Sequence, residues 1–189
     1  MKKIILSILT CCLPLAAQAD MAQHKAEAKA ITGAFFTELK GELVKGMQAG
    51  GPLNAIKVCN IKAPGIAYQH SKDSGWEVGR TSLKLRNPGN APDAWETQVL
   101  KQFEARRAKG EAPDTLAYAE VVEENGQQYF RFMKGIVMPP MEKAPCLACH
   151  GGKLNPQVQA ELKRLYPTDQ ATGYSAGQVR GAFTLKKAL

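Results

Sequence analysis

Cys146-Leu147-Ala148-Cys149-His150 sets two thiols three positions apart with an imidazole at the next residue, and Gly151-Gly152 follows at once. Two thiols at that spacing on one turn of chain can each add to a porphyrin vinyl group, and the adjoining histidine then lies under the iron as its proximal ligand. The stretch reads as a covalent attachment site for one haem c. Its competing use is a zinc site. Cys59, Cys146, Cys149 and His150 would together make a Cys₃His tetrahedron. That reading gives no reason for export, or for a histidine directly adjoining the second cysteine.

Haem is attached to this motif outside the cytoplasm, so the start of the chain matters. Lys2 and Lys3 precede an apolar run from Ile4 to Ala16, and Ala17-Gln18-Ala19 offers a small-x-small cleavage site before Asp20. Residues 1–19 are therefore expected to be a signal peptide, with residues 20–189 forming one periplasmic haem-binding domain. Cys11 and Cys12 raise lipidation as an alternative, but Thr10 and Cys11 are poor residues to precede a lipidated cysteine. No stretch approaches the roughly 20 apolar residues of a membrane span. The formal net charge of +8 is spread without a Lys/Arg run or an aromatic-interleaved basic helix, which argues against nucleic acid as a partner.

Three cysteines remain outside the leader: Cys59, Cys146 and Cys149. An odd number is awkward for disulfides in an oxidising compartment, and a haem accounts for two. Cys59 is then a buried small hydrophobe, a reactive thiol or a metal ligand. Met138 and Met141, just upstream of the attachment motif, are the alternative axial donors. His70, among Gln69, Ser71 and Lys72, and His24 near the mature N-terminus read as surface residues. Arg80, Lys84 and Arg86 stand in a loop region, where solvated cations are the expectation and pairing with haem carboxylates the alternative.

The elements that must position these groups follow from periodicity. Ile31, Phe35, Leu39 and Leu43 recur at four-residue spacing, which predicts a long amphipathic helix over 22–49, stopped by Gly50-Gly51. Pro52 suits the first turn of a second helix in which Leu53, Ile56 and Cys59 share the inward side. Pro64 should interrupt that segment and open a short helix ending at Gly75. A strand is expected over Trp76–Lys84 and a loop over Arg86–Pro92. Asp93 and Glu96 then form a capping box for a helix bearing Trp95, Val99, Leu100 and Phe103. Asn125-Gly126 marks a hairpin within 117–137, a helix is expected over 156–166, and a last strand over 178–186. These predict an α+β fold, with an antiparallel sheet, helices packed on one side and a long N-terminal helix.

In order along the chain, Ala55-Ile56-Lys57-Val58-Cys59-Asn60 with Ala63-Pro64, Arg80-Thr81-Ser82-Leu83-Lys84, Arg86-Asn87-Pro88, Asn90-Ala91-Pro92, the CxxCH stretch, Gly173-Tyr174, Gly177 and Arg180-Gly181 resemble a known family. It is that of the PAS-like c-type haem domains, found as extracytoplasmic halves of bacterial sensor kinases and as standalone exported proteins. The resemblance implies a haem held through Cys146 and Cys149, with His150 on one face of the iron and Cys59 on the other. It also implies a redox or small-ligand (gas) sensing role. The alternative is a periplasmic electron-transfer cytochrome c. Either would need a signalling or redox partner, and neither is an enzyme: no Ser/His/Asp set or carboxylate pair stands at catalytic spacing.

Overall fold

The computed structural model describes residues 15–189. The basic start and most of the apolar stretch of the expected signal peptide, residues 1–14, lie outside the described residues. Helix α1 spans Leu15–Lys57 and turns back on itself at Gly50 and Gly51, where Gly51 takes φ 65°. Only glycine tolerates that conformation cheaply. The second arm, which begins at Pro52, then folds against the first. The arms touch at Gly46, where an added Cβ would sit 2.9 Å from a Val58 methyl and 3.2 Å from the Ala55 Cα. The break expected at Gly50-Gly51-Pro52 is therefore a helical hairpin.

Pro64 does not interrupt the chain as expected. Val58–Lys62 widens into a π-helical turn, in which the Ala63 N–H donates to the Val58 carbonyl, and continues directly into α2, Ala63–Ser74. Proline cannot donate, so a widened turn that shifts the hydrogen-bond register lets the helix pass through it. Cys59 sits in this turn. Gly75, at φ 72°, ends α2 as a left-handed cap.

Four strands form one antiparallel sheet: β1 Glu77–Thr81, β2 Ala117–Glu124, β3 Gln127–Val137 and β4 Val179–Ala188, in the order β1-β4-β3-β2. Asn125 and Gly126 both have positive φ, 54° and 80°, as the expected hairpin turn between β2 and β3 demands. β1 is shorter than expected. The chain leaves the sheet at Ser82, whose hydroxyl donates to the Arg180 carbonyl at 2.7 Å and accepts the Lys84 N–H at 3.2 Å.

α1 and α2 cover one sheet face, packing Ala28, Phe35 and Ile66 on Phe130, Phe132, Phe183 and Leu185. α3, Ala94–Ala108, starts at the expected Asp93/Glu96 capping box. Its Val99, Leu100 and Phe103 pack on Met133 and Ala182, which alternate with those phenylalanines and so point to the opposite face. The α+β class and the long N-terminal helix hold, and the one-sided placement of helices is corrected: the sheet is buried on both faces. The one-turn helix α4, Leu147–His150, and α5, Pro156–Leu165, lie beyond β3. No helix among the described residues is long and apolar enough to cross a membrane.

Candidate functional site

Between the α1 hairpin, the buried C-terminal end of β1 and the loop after β3 lies a cavity of ≈ 430 Å³. That volume is within the range of cofactor pockets. Phe36, Leu39, Leu43, Met47 and Ile56 supply an apolar wall, and Cys59, Cys146, Cys149 and His150 all line it. The cysteines are free thiols. Burial pushes all three thiols up from their ordinary pKa, and at Cys59 the Arg80, Arg86 and Arg180 guanidinium groups pull in the opposite direction. Although these four residues share one cavity, no three His, Cys, Asp or Glu side chains among the described residues converge closely enough to hold a single ion. A compact Cys₃His zinc tetrahedron does not fit that arrangement.

The Cys146–His150 turn is held by hydrogen bonds from within and from outside. Within it the His150 N–H donates to the Cys146 carbonyl at 3.1 Å and the Gly151 N–H to Leu147 at 2.8 Å. From outside, the Tyr174 and Gly173 N–H groups donate to the His150 and Gly151 carbonyls at 2.9 and 3.0 Å. Ile56, Val158, Leu162 and Tyr166 form a small apolar cluster that backs Cys149, so α5 braces both the Cys146–His150 turn and the helix leading to Cys59.

His150 is positioned through Nδ1. The Ala171 carbonyl lies 2.7 Å from it and the Arg180 Nε 3.2 Å. A carbonyl can only accept, so the shorter contact puts the proton on Nδ1, and the Arg180 Nε is then a close neighbour rather than a donor to it. Nε2 keeps its lone pair. Burial, with Arg86 and Arg180 close by, holds the imidazole well below its usual pKa. A neutral histidine whose Nδ1–H is fixed by a backbone carbonyl is the arrangement in which Nε2 serves as a metal ligand.

Arg86 organises this loop. It is 8% exposed, pairs with Asp169 at 3.0 Å, and donates to the Cys149 carbonyl at 2.6 Å and the Ala171 carbonyl at 3.3 Å. Asp169 in turn accepts the Ala171 N–H at 2.8 Å. The expectation of a solvated loop cation is corrected here, because a guanidinium's several donors can satisfy carbonyls from two strands of loop at once. Arg80 also lines the cavity, as does Arg180, which sequence reasoning did not single out as a site residue. Lys84 stands outside the cavity, its ammonium 5.0 Å from the Tyr174 ring centroid.

The remaining candidates separate cleanly. Met138 is 2% exposed and lines the cavity, whereas Met141 is 51% exposed and does not. His70 bonds to Glu38 at 2.9 Å, away from the cavity. His24, expected on the surface, packs against Trp76 and Phe130 because it falls on the buried side of α1.

A crystal structure of the cyanobacterial haem protein Tll0287 superposes with a TM-score of 0.61 at 22% sequence identity, covering 94% of this chain and 97% of that one. At that identity the likeness concerns the fold. No curated protein matches the sequence. The model of the Tll0287-like family matches residues 15–187, nearly all of what the structure describes, and on that match the chain belongs to the Tll0287-like family.

Proposed function

We propose that this is an exported, periplasmic c-type haem protein that works as a redox or small-ligand sensing module of PAS-like type, not as an enzyme. The observation that carries it is His150: Nδ1 is committed to Ala171, Nε2 is free, and the side chain lines a cofactor-sized cavity beside the Cys146/Cys149 pair. Kinship with Tll0287, a haem protein, supports the same cofactor. Cys146 and Cys149 would hold the porphyrin covalently, His150 would ligate the iron, and Cys59 would face it from the π-helical turn. Bound haem would supply a ferric/ferrous couple. The chain's own work is to hold His150 in one tautomer, to keep Cys59 among cationic neighbours, and to wall off water with the α1 hairpin. A signalling or redox partner would read the change.

The second reading, an electron-transfer cytochrome, has one observation in its favour: Met138 is buried and lines the same cavity. Electron paramagnetic resonance and absorption spectra of the wild type, Cys59→Ala and Met138→Leu distinguish the two. A low-spin thiolate signal lost only in Cys59→Ala, with a raised reduction potential, is expected. Spectra that change in Met138→Leu and not in Cys59→Ala would move the protein to the electron-transfer class. A colourless wild type after periplasmic expression would end both.

A further inference from the structure

Two half-buried arginines in the cavity wall have no ion-pair partner among the described residues. Of the three arginines that line it, Arg86 is neutralised by Asp169 at 3.0 Å. Arg180 donates to the Ser82 hydroxyl at 2.8 Å and the Lys84 carbonyl at 3.2 Å, both neutral, and has no ion pair among the described residues. Arg80 lies opposite Phe183 in the sheet register, on the face covered by α1, and has no ion pair or side-chain hydrogen bond among the described residues. Burial draws both guanidinium groups down from their ordinary pKa. Lys40 and Lys143 also line the cavity, but both are exposed and solvated.

Each of these two arginines is half-buried and lines the cavity. A flat apolar body filling it would strip their remaining water, and an uncompensated buried cation is costly unless an anion arrives with the ligand. An occupant that brings two anionic groups removes the imbalance.

We propose that Arg80 and Arg180 together form a receptor for the two carboxylates of the prosthetic group. The proposal rests on the haem reading above and excludes Arg86, already bound to Asp169, and Lys84, which stacks on Tyr174 outside the cavity. Guanidinium suits this role because its planar fork meets a carboxylate with two parallel hydrogen bonds. The receptor would orient the porphyrin independently of the thioether links, and its positive charge would favour the ferrous state.

The test uses the haem-loaded protein and the resonance Raman bending band of the haem propionates, which responds to their hydrogen bonding. Arg80→Gln and Arg180→Gln should each shift that band and lower the reduction equilibrium constant about tenfold, or about 59 mV for one electron. Arg80→Lys and Arg180→Lys should recover most of the potential while still shifting the band, because charge is kept and the fork is lost. Lys84→Gln should change neither. If a glutamine variant accumulates without haem, the corresponding lysine variant decides. Haem-loaded variants at both positions whose band matches wild type would overturn the receptor and leave the haem reading standing. A wild type without haem would overturn both.

Discussion

Arg86→Ala would remove one charge of an ion pair that ties the loop beside the cavity together. Both members of the Arg86–Asp169 pair are nearly buried, with side chains 9% exposed on each side. Removing one partner of such a pair costs about 3–5 kcal/mol, because the other charge stays buried without compensation. The Cys149 and Ala171 carbonyls also lose a donor, which places the expected loss in the upper part of that range, about 4–5 kcal/mol. For a domain of this size each kcal/mol lowers the melting temperature by about 2–4 °C, so a fall of about 8–20 °C is expected. Urea and thermal unfolding followed by circular dichroism on haem-loaded protein would measure it. The cause is tested by Arg86→Met with Asp169→Leu. Removing both charges should restore most of the stability, while the Cys146–His150 turn, still missing its donor to Cys149, should bind haem in lower yield. Arg86→Ala within about 1 kcal/mol of wild type, or a double variant no more stable than the single one, would refute the reasoning.

Gly151→Ala would put a Cβ 2.6 Å from the Leu147 carbonyl oxygen, so a loss of about 1–3 kcal/mol and a lower haem-loaded yield are expected; Gly152→Ala, which meets nothing within 4 Å, should be neutral in the same assays. Asp93→Ala should cost about 1–2 kcal/mol by removing the cap of α3, and more if its 2.6 Å pair with buried Arg131 matters, whereas Asp93→Asn keeps the cap; equal losses in the two would assign the effect to the ion pair. Hydrogen bonding to Arg106 holds the Glu111 carboxyl at about 2, below its ordinary value. A carboxylate with a depressed folded-state pKa contributes stability that is fully present above its unfolded value and fades as pH falls towards 2. The urea midpoints of wild type and Glu111→Gln should therefore differ at neutral pH and converge between about pH 4.5 and 2, and a gap that persists at pH 2 would refute the assignment.

Much of the local architecture was legible in the sequence because its causes act over a few residues. Gly50-Gly51 marked the break in the helix, since the φ of 65° at Gly51 is one that glycine adopts without strain. Asn125-Gly126 and the Asp93/Glu96 box declared a hairpin and a helix start in four residues or fewer. The spacing of Cys146, Cys149 and His150 on one turn is likewise local, and helical spacing sufficed to turn Cys59 inward with Ile56. Pro64 misled because its effect depends on whether the hydrogen-bond register can shift, and the widened turn at Val58–Lys62 allows that.

Tertiary structure decided what each charged group would meet. A solvated arginine and a buried one are identical in sequence; Arg86 differs from Lys84 only because chain 83 residues away returns Asp169 to it. Arg180 became a site residue for the same reason, brought to Ser82 across 98 residues by the pairing of β1 with β4. Periodicity likewise marks the apolar side of α3 but not which sheet face it will cover, since both faces of β3 and β4 offer apolar side chains. The meeting of Cys59 with His150 across one cavity belongs to this second kind. Each residue carries its chemistry locally, and only the folded α1 hairpin, braced by α5, brings the two to the same space.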